Sequence, residues 1–264
     1  MLKKTFISAF AAATLLAGSA YAADNNVFID QVGEANEVES YQEGAENVVS
    51  IVQEGYANTL SSAQIGTENA AYINQSGEAN GIVSTQNGYA NNANIGQYGD
   101  EGSIGNYQEG DENGAEISQE GYANAVESAQ TGYANWVNVY QGGSENTISN
   151  SQEGSENSAE ISQEGYANTV ESAQNGYANW VGVYQGGSEN TIGNYQEGDE
   201  NSLMISQEGY ANTIYSTQAG YENVAEVNQL GSENAIYNAQ YGSADSAVIS
   251  QDAVGSTISS TQTD

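Results

Sequence analysis

From Asn124 to Gln130, every second residue belongs to one set: Asn124, Val126, Ser128 and Gln130. The residues between them, Ala125, Glu127 and Ala129, have counterparts elsewhere in the chain that vary freely. A period of two marks a strand with one buried face. Seven residues at about 3.3 Å each predict a strand of roughly 20 Å. The pattern then repeats. Glutamine recurs every eleven residues without a slip, from Gln31, Gln42, Gln53 and Gln64 to Gln251 and Gln262. Most units read Gln-x-Gly-x-x-Asn-x-φ-x-φ-x, where φ faces inward. A period held this long without insertion points to stacked repeats, because a globular enzyme would carry loops of unequal length.

The second inward position shows that the true repeat is a pair of these units. It reads Ser40, Ile51, Ser62, Ile73, Ser84, Ile95, Asn106, Ile117, Ser128 and Val139. The same alternation runs on to Ile249 and Ser260. Like stacks on like only if each strand lies over the next strand but one. The predicted fold is therefore all-β: a parallel, cross-β solenoid with two strands per 22-residue coil and about eleven coils. Residues 23–264 are expected to form one such domain.

Three columns of residues are expected to hold the stack. Gln31, Gln53, Gln75, Gln97, Gln119, Gln141, Gln163, Gln185, Gln207 and Gln229 form one inward amide column. Asn36, Asn58, Asn80, Asn124, Asn146, Asn168, Asn190, Asn212 and Asn234 form another. In register, each amide would donate to its copy in one neighbouring coil and accept from its copy in the other. The third column is the turn glycines Gly33, Gly55, Gly77, Gly99, Gly121, Gly143, Gly165, Gly187, Gly209 and Gly231. Glycine there supplies backbone angles that other residues resist. Only the unit holding Ala253 lacks it. The chain contains no proline, which suits a molecule made almost wholly of paired strands.

Residues 1–22 read as a secretory signal peptide. Lys3 and Lys4 are its basic end, Phe6 to Ala17 its apolar stretch, and Ala20-Tyr21-Ala22 its cleavage site. The apolar run is too short to span a membrane. Past the leader there is no Lys, Arg, His or Cys, and all 35 acidic residues lie there. This excludes phosphate-contacting nucleic-acid binding. It also removes thiol chemistry, His-based nucleophilic catalysis and His metal sites. Paired carboxylates on a solvated ladder have no pocket to separate their pKa values. An enzyme, a cofactor site and a specific metal site are accordingly not expected. The acidic turns Asp111-Glu112-Asn113 and Asp199-Glu200-Asn201 are candidates for weak Ca²⁺ binding, although solvated turns fit them better.

Along one edge the turn chemistry alternates: Tyr122-Ala123, Ser144-Glu145, Tyr166-Ala167, Ser188-Glu189. The residue after Gln alternates too, as Glu120, Gly142, Glu164, Gly186 and Glu208. Acids in one column then sit two coils apart. Their repulsion in water falls from about 0.9 kcal/mol at the coil spacing to about half that. Duplication of a 44-residue block explains the same alternation. Tyr56, Tyr89, Tyr122, Tyr133, Tyr166, Tyr177, Tyr210 and Tyr221 sit at turns, where they fill space or make lateral and adhesive contacts.

The repeats resemble those of the curlin family, the subunits of secreted bacterial amyloid fibres. The family pattern Gln-x-Gly-x-x-Asn-x-Ala-x-x-x-Gln is met in full by Gln108, Gly110, Asn113, Ala115 and Gln119. Its second half is met from Asn157 to Gln163, Asn69 to Gln75 and Asn223 to Gln229. The resemblance implies an extracellular, cell-surface fibre of a Gram-negative bacterium, serving biofilm matrix and adhesion. It also implies a nucleator subunit and an outer-membrane secretion pore as partners. The chain itself is the main partner, assembling head to tail, because neither end shows a capping sequence. A monomeric secreted solenoid acting as an adhesin or binding protein is the alternative reading. Ice binding would need a regular outward Thr array, and cation sequestration would need continuous acidic columns.

Overall fold

In-register stacking of each strand on the next but one is what the alternating inward column demands, and it is the pairing found. Ile161 pairs with Val183, and Ser172 with Asn194. The computed structural model describes residues 6–10, 14–17 and 24–263. Among these are 24 strands and no helix. The chain divides into two compact units, Met1–Ala134 and Asn135–Asp264. Each is a parallel β-solenoid with two sheets and two strands per coil.

In the first unit, one sheet runs from Asn26–Glu34 through Val48–Tyr56, Ala70–Glu78 and Asn92–Asp100 to Gly114–Tyr122. This aliphatic sheet buries Ile29, Ile51, Ile73, Ile95 and Ile117 in one column. The mixed sheet runs from Glu37–Ala45 to Ala125–Tyr133 and buries Ser40, Ser62, Ser84, Asn106 and Ser128 in the equivalent column. The second unit repeats this with six coils, from Trp136–Ser144 and Thr147–Ser155 to Ser246–Val254 and Thr257–Thr263. Each coil adds only a few aliphatic side chains to a two-sheet core. In the coil of Trp180–Ser188 and Thr191–Asp199 they are Val181, Val183 and Ile192.

Two further strands, Phe6–Phe10 and Thr14–Ala17, come before the repeats. They pair with Asn26–Glu34 and Glu37–Ala45, Phe6 opposite Phe28 and Thr14 opposite Glu37. The proposed cleavage site, Ala20 and Ala22, lies outside the described residues.

Strands are nine residues long rather than the expected seven. They start one residue after Asn and run one residue past Gly. The glycine is therefore inside the ladder, and the reversal is confined to two residues. The first of these, Ala or Glu, takes a left-handed conformation at turn after turn, as at Ala178 (φ 53°) and Glu200 (φ 57°). That conformation costs an L-residue roughly 1–2 kcal/mol. Most such residues are held by a bond between coils, as from Ala178 N to Ser155 O at 2.9 Å. Ala178→Gly should relieve more strain than it adds in chain entropy. The expected gain is about 0.5–1 kcal/mol, read as a higher urea midpoint at unchanged slope.

Candidate assembly site

The chemistry that holds one coil to the next is concentrated in the inward amides. On the aliphatic sheet of the first unit, Gln31 Nε2 donates to Gln53 Oε1 at 2.6 Å, Gln53 to Gln75 at 2.7 Å, Gln75 to Gln97 and Gln97 to Gln119 at 2.9 Å. In the second unit Gln141, Gln163, Gln185, Gln207 and Gln229 each donate to the next glutamine, ending at Gln251, over 2.7–2.9 Å. Every donor points toward the higher-numbered coil, so the ladder is polar. These side chains are buried, with Gln163, Gln185 and Gln207 wholly inaccessible. A buried amide left unpaired costs about 1–3 kcal/mol, so ladder continuity matters more than the strength of any one bond.

A second ladder runs along the mixed sheet through Gln64, Gln86 and Gln108, and again through Gln174, Gln196 and Gln218. Nε2 also reaches a backbone carbonyl on the facing sheet, as from Gln196 to Trp180 O at 2.9 Å in this ladder and from Gln75 to Thr59 O at 3.2 Å in the other. The same eleven-residue period marks these glutamines. Their extra bond to the facing sheet has no sequence signal.

The asparagines work differently from the amide-to-amide stacking expected of them. Asn168 Nδ2 donates to Glu164 O and to Gly187 O, both at 2.9 Å, and Asn168 Oδ1 accepts from Asn190 N at 2.9 Å. One side chain thus closes its own turn, grips the glycine of the next coil and holds the next asparagine's backbone. The same set of contacts serves Asn58, Asn190 and Asn212. Asn36 and Asn234 make both donations, to Val32 O and Gly55 O and to Leu230 O and Ala253 O, and accept from Asn58 N and Ser256 N. Asn80 bonds Ser76 O and Gly99 O, Asn124 bonds Glu120 O, and Asn146 bonds Gly142 O and Gly165 O. The left-handed residue just before each Asn brings its side chain to these backbone carbonyls, and both asparagine columns share that conformation and those contacts. Amide-to-amide contact occurs in the sister column ahead of the aliphatic strands, as from Asn179 Nδ2 to Asn157 Oδ1 at 3.1 Å. Gly102 stands where that pattern would place an Asn. Its backbone N–H still meets Asn80 Oδ1, but the side-chain contacts are missing.

The turn glycines are fixed by contact as well as by angle. Gly33, Gly55, Gly77, Gly99, Gly121, Gly143, Gly165, Gly187, Gly209 and Gly231 have φ between 95° and 132°. A Cβ on Gly165 would lie 1.9 Å from Gly187 O, and one on Gly209 1.9 Å from Gly231 O. Nothing in the sequence announces this second reason.

The polar inward column of the mixed sheet is imperfectly satisfied. Asn194 Nδ2 reaches Ser172 Oγ at 3.4 Å and Asn238 Nδ2 reaches Ser216 Oγ at 3.2 Å. The oxygens Asn194 Oδ1, Asn238 Oδ1 and Ser62 Oγ are buried without a partner.

At the turns, tyrosine and glutamate from adjacent coils meet. Tyr89 donates to Glu68 at 3.1 Å, Tyr122 to Glu101 at 2.9 Å, Tyr133 to Glu112, Tyr166 to Glu145 and Tyr177 to Glu156 at 3.1 Å. These contacts give the alternation of Tyr-Ala and Ser-Glu turns a structural reason: each phenol caps a carboxylate one coil away. The hydrogen bond to Glu145, and then its charge, push the Tyr166 phenol above its ordinary pKa. Glu156 acts likewise on Tyr177. Among the described residues, no three acidic side chains gather as a metal site.

The curlin associated repeat family matches this chain at residues 132–165 and 198–231. These two stretches are similar to that repeat. No curated protein sequence matches the chain. Among solved structures, the polySia specific acetyltransferase NeuO is similar at a TM-score of 0.31 and 14% identity, over 62% of this chain and 78% of that one. A likeness that loose says nothing about chemistry.

Proposed function

We propose, from the two curlin repeat matches and the polar ladders, that this chain is a structural subunit of an extracellular, curli-like fibre. Copies stack head to tail, serving biofilm matrix and adhesion. One observation carries the reading. Within each unit, coil after coil presents the same glutamine ladder to the next, and two ladder groups are buried without a partner: Gln251 Nε2, a donor, and Gln42 Oε1, an acceptor. With residues 1–22 removed, a second copy stacked in register supplies an acceptor to the first and a donor to the second. Contacts of this kind extend in one direction without closing, which makes filaments. Residues 1–22 act as the secretory signal, and a nucleator and an outer-membrane pore serve export and assembly. The chain has no enzymatic role in this reading and does not bind nucleic acid.

The test is assembly after removal of denaturant, followed by thioflavin-T fluorescence, electron microscopy and fibre diffraction. Fibres with a meridional reflection at about 4.7–4.8 Å, formed after a lag that seeds abolish, are expected. With 35 acids and a sequence pI near 4.1, assembly at low salt should be faster at pH 4 than at pH 8. A stable, β-rich, monodisperse monomer would instead favour the secreted monomeric adhesin.

A further inference from the structure

The outward face of the aliphatic sheet in the second unit carries an aromatic pattern that stacking does not use. Trp136 and Tyr140 lie on one strand, and Trp180 and Tyr184 on the next but one in that sheet. Between them runs Ser158–Tyr166. Ser158 pairs with Trp136 on one side and Trp180 on the other, and Ser162 pairs with Tyr140 and Tyr184. Two strand spacings separate the like rings, about 10 Å, and four residues separate Trp from Tyr on a strand, about 13 Å. The four rings thus form a regular lattice, with Ser158 and Ser162 between like rings and Asn138, Glu160 and Gly182 between the Trp and Tyr rows.

Three of the rings, those of Trp180, Tyr140 and Tyr184, are folded down along their strands rather than standing up from the sheet. A Cβ on Gly182 would lie 2.7 Å from the Trp180 ring, and one on Gly142 3.1 Å from the Tyr140 hydroxyl. Gly186 sits beneath Tyr184 in the same way, at 3.3 Å. Gly142 and Gly186 are buried under these rings, while Trp136 and Tyr184 remain 45% and 44% exposed. The glycines of the Glu/Gly alternation therefore make room for tyrosine. The result is a low, hydroxyl-studded aromatic plane.

We infer that this plane binds a neutral polysaccharide built of β-linked, equatorially substituted hexopyranoses. Such a chain is a flat ribbon, with C–H groups on its faces and hydroxyls along its edges. Its faces stack on aromatic rings, and its edges can bond to Ser158, Ser162 and the exposed Glu160 carboxylate. Two strand spacings are close to the length of one disaccharide in an extended ribbon, so Trp136 and Trp180 meet equivalent sugars. Anionic ligands are ruled out by charge, since the only two basic residues of the whole chain are Lys3 and Lys4. An α-linked chain coils away from a plane and would touch one ring at a time. The lattice belongs to a single chain, so the inference stands whether or not copies assemble.

The chain has two tryptophans, and both are in the lattice. Their fluorescence reports on the site directly. The soluble full chain is titrated with cellohexaose and, separately, with maltohexaose. A saturable shift in tryptophan emission with cellohexaose and none with maltohexaose is expected. Tyr140→Ala with Tyr184→Ala should weaken binding at least tenfold. Tyr215→Ala with Tyr237→Ala, a pair stacked at 5.9 Å on the other sheet, should leave it unchanged. Circular dichroism of both variants checks the fold. No shift with millimolar cellohexaose, or equal shifts with both sugars, overturns the inference. So does a shift that follows protein concentration without sugar, which would assign the face to a second copy.

Discussion

Gly165→Ala is expected to disrupt the coil that contains it. The new Cβ would sit 1.9 Å from Gly187 O and 3.0 Å from Asn168 Nδ2, at φ 117°. No rotamer can relieve a clash between a Cβ and a backbone carbonyl, so the ladder must part. Two further bonds meet at that place, since Asn146 Nδ2 donates to Gly165 O and Asn168 Nδ2 to Gly187 O. A loss above about 4 kcal/mol is expected, in the range reserved for backbone strain with broken buried bonds. Urea unfolding and the fibre lag time read it. Gly105→Ala is the control. Gly105 faces outward, its φ is not left-handed, and its nearest neighbours would be 4.0 Å away. That variant should behave like the parent. If Gly165→Ala did so too, the close approach of the turns would not be a constraint on this fold. The chain already shows the alternative. At Ala253 the positive φ is absent, while Gly255, at 65°, keeps the left-handed position that Ala or Glu holds in the preceding turns.

Gln185→Leu should be the next most damaging change. Leucine has nearly the right volume but neither bond. It strands Gln163 Nε2, which now donates to Gln185 at 2.7 Å, and Gln207 Oε1, which accepts from it at 2.8 Å. Two buried groups left unpaired cost about 2–6 kcal/mol together, partly offset by the added apolar surface. Denaturant titration should show the loss, and assembly should slow. A neutral result would mean that water or a repacked neighbour satisfies the stranded amides. The cost of a ladder would then be set by its ends rather than by its continuity.

The unsatisfied column on the mixed sheet makes sense as a specificity device. Gln, Gly and Asn repeat every eleven residues, so by themselves they permit a half-coil slip. Such a slip would lay Ser172 against Ile161 and leave its hydroxyl facing an aliphatic column. The alternation of Ile or Val with Ser or Asn penalises that register, as polar core positions do elsewhere. The incomplete hydrogen bonding of Ser62 and Asn194 is then the cost of choosing one register.

The strands, their stacking on the next strand but one and the composition of each inward column were legible in the sequence. Each rests on periodicity, and a period of two with strict alternation admits few other structures. The glutamine ladder followed from that register, since identical amides one strand spacing apart can reach one another. The role of Asn168 did not follow. It depends on the left-handed residue before it, which turns the side chain toward the carbonyls of Glu164 and Gly187. The second reason for Gly165 lay in a contact with another coil, and the Tyr-Glu caps and the tyrosines over Gly142 and Gly186 lay in side-chain directions. A repeating sequence determines which residues share a column. Where backbone and side chains point within that column is decided by contacts between coils, and those exist only once the stack has formed.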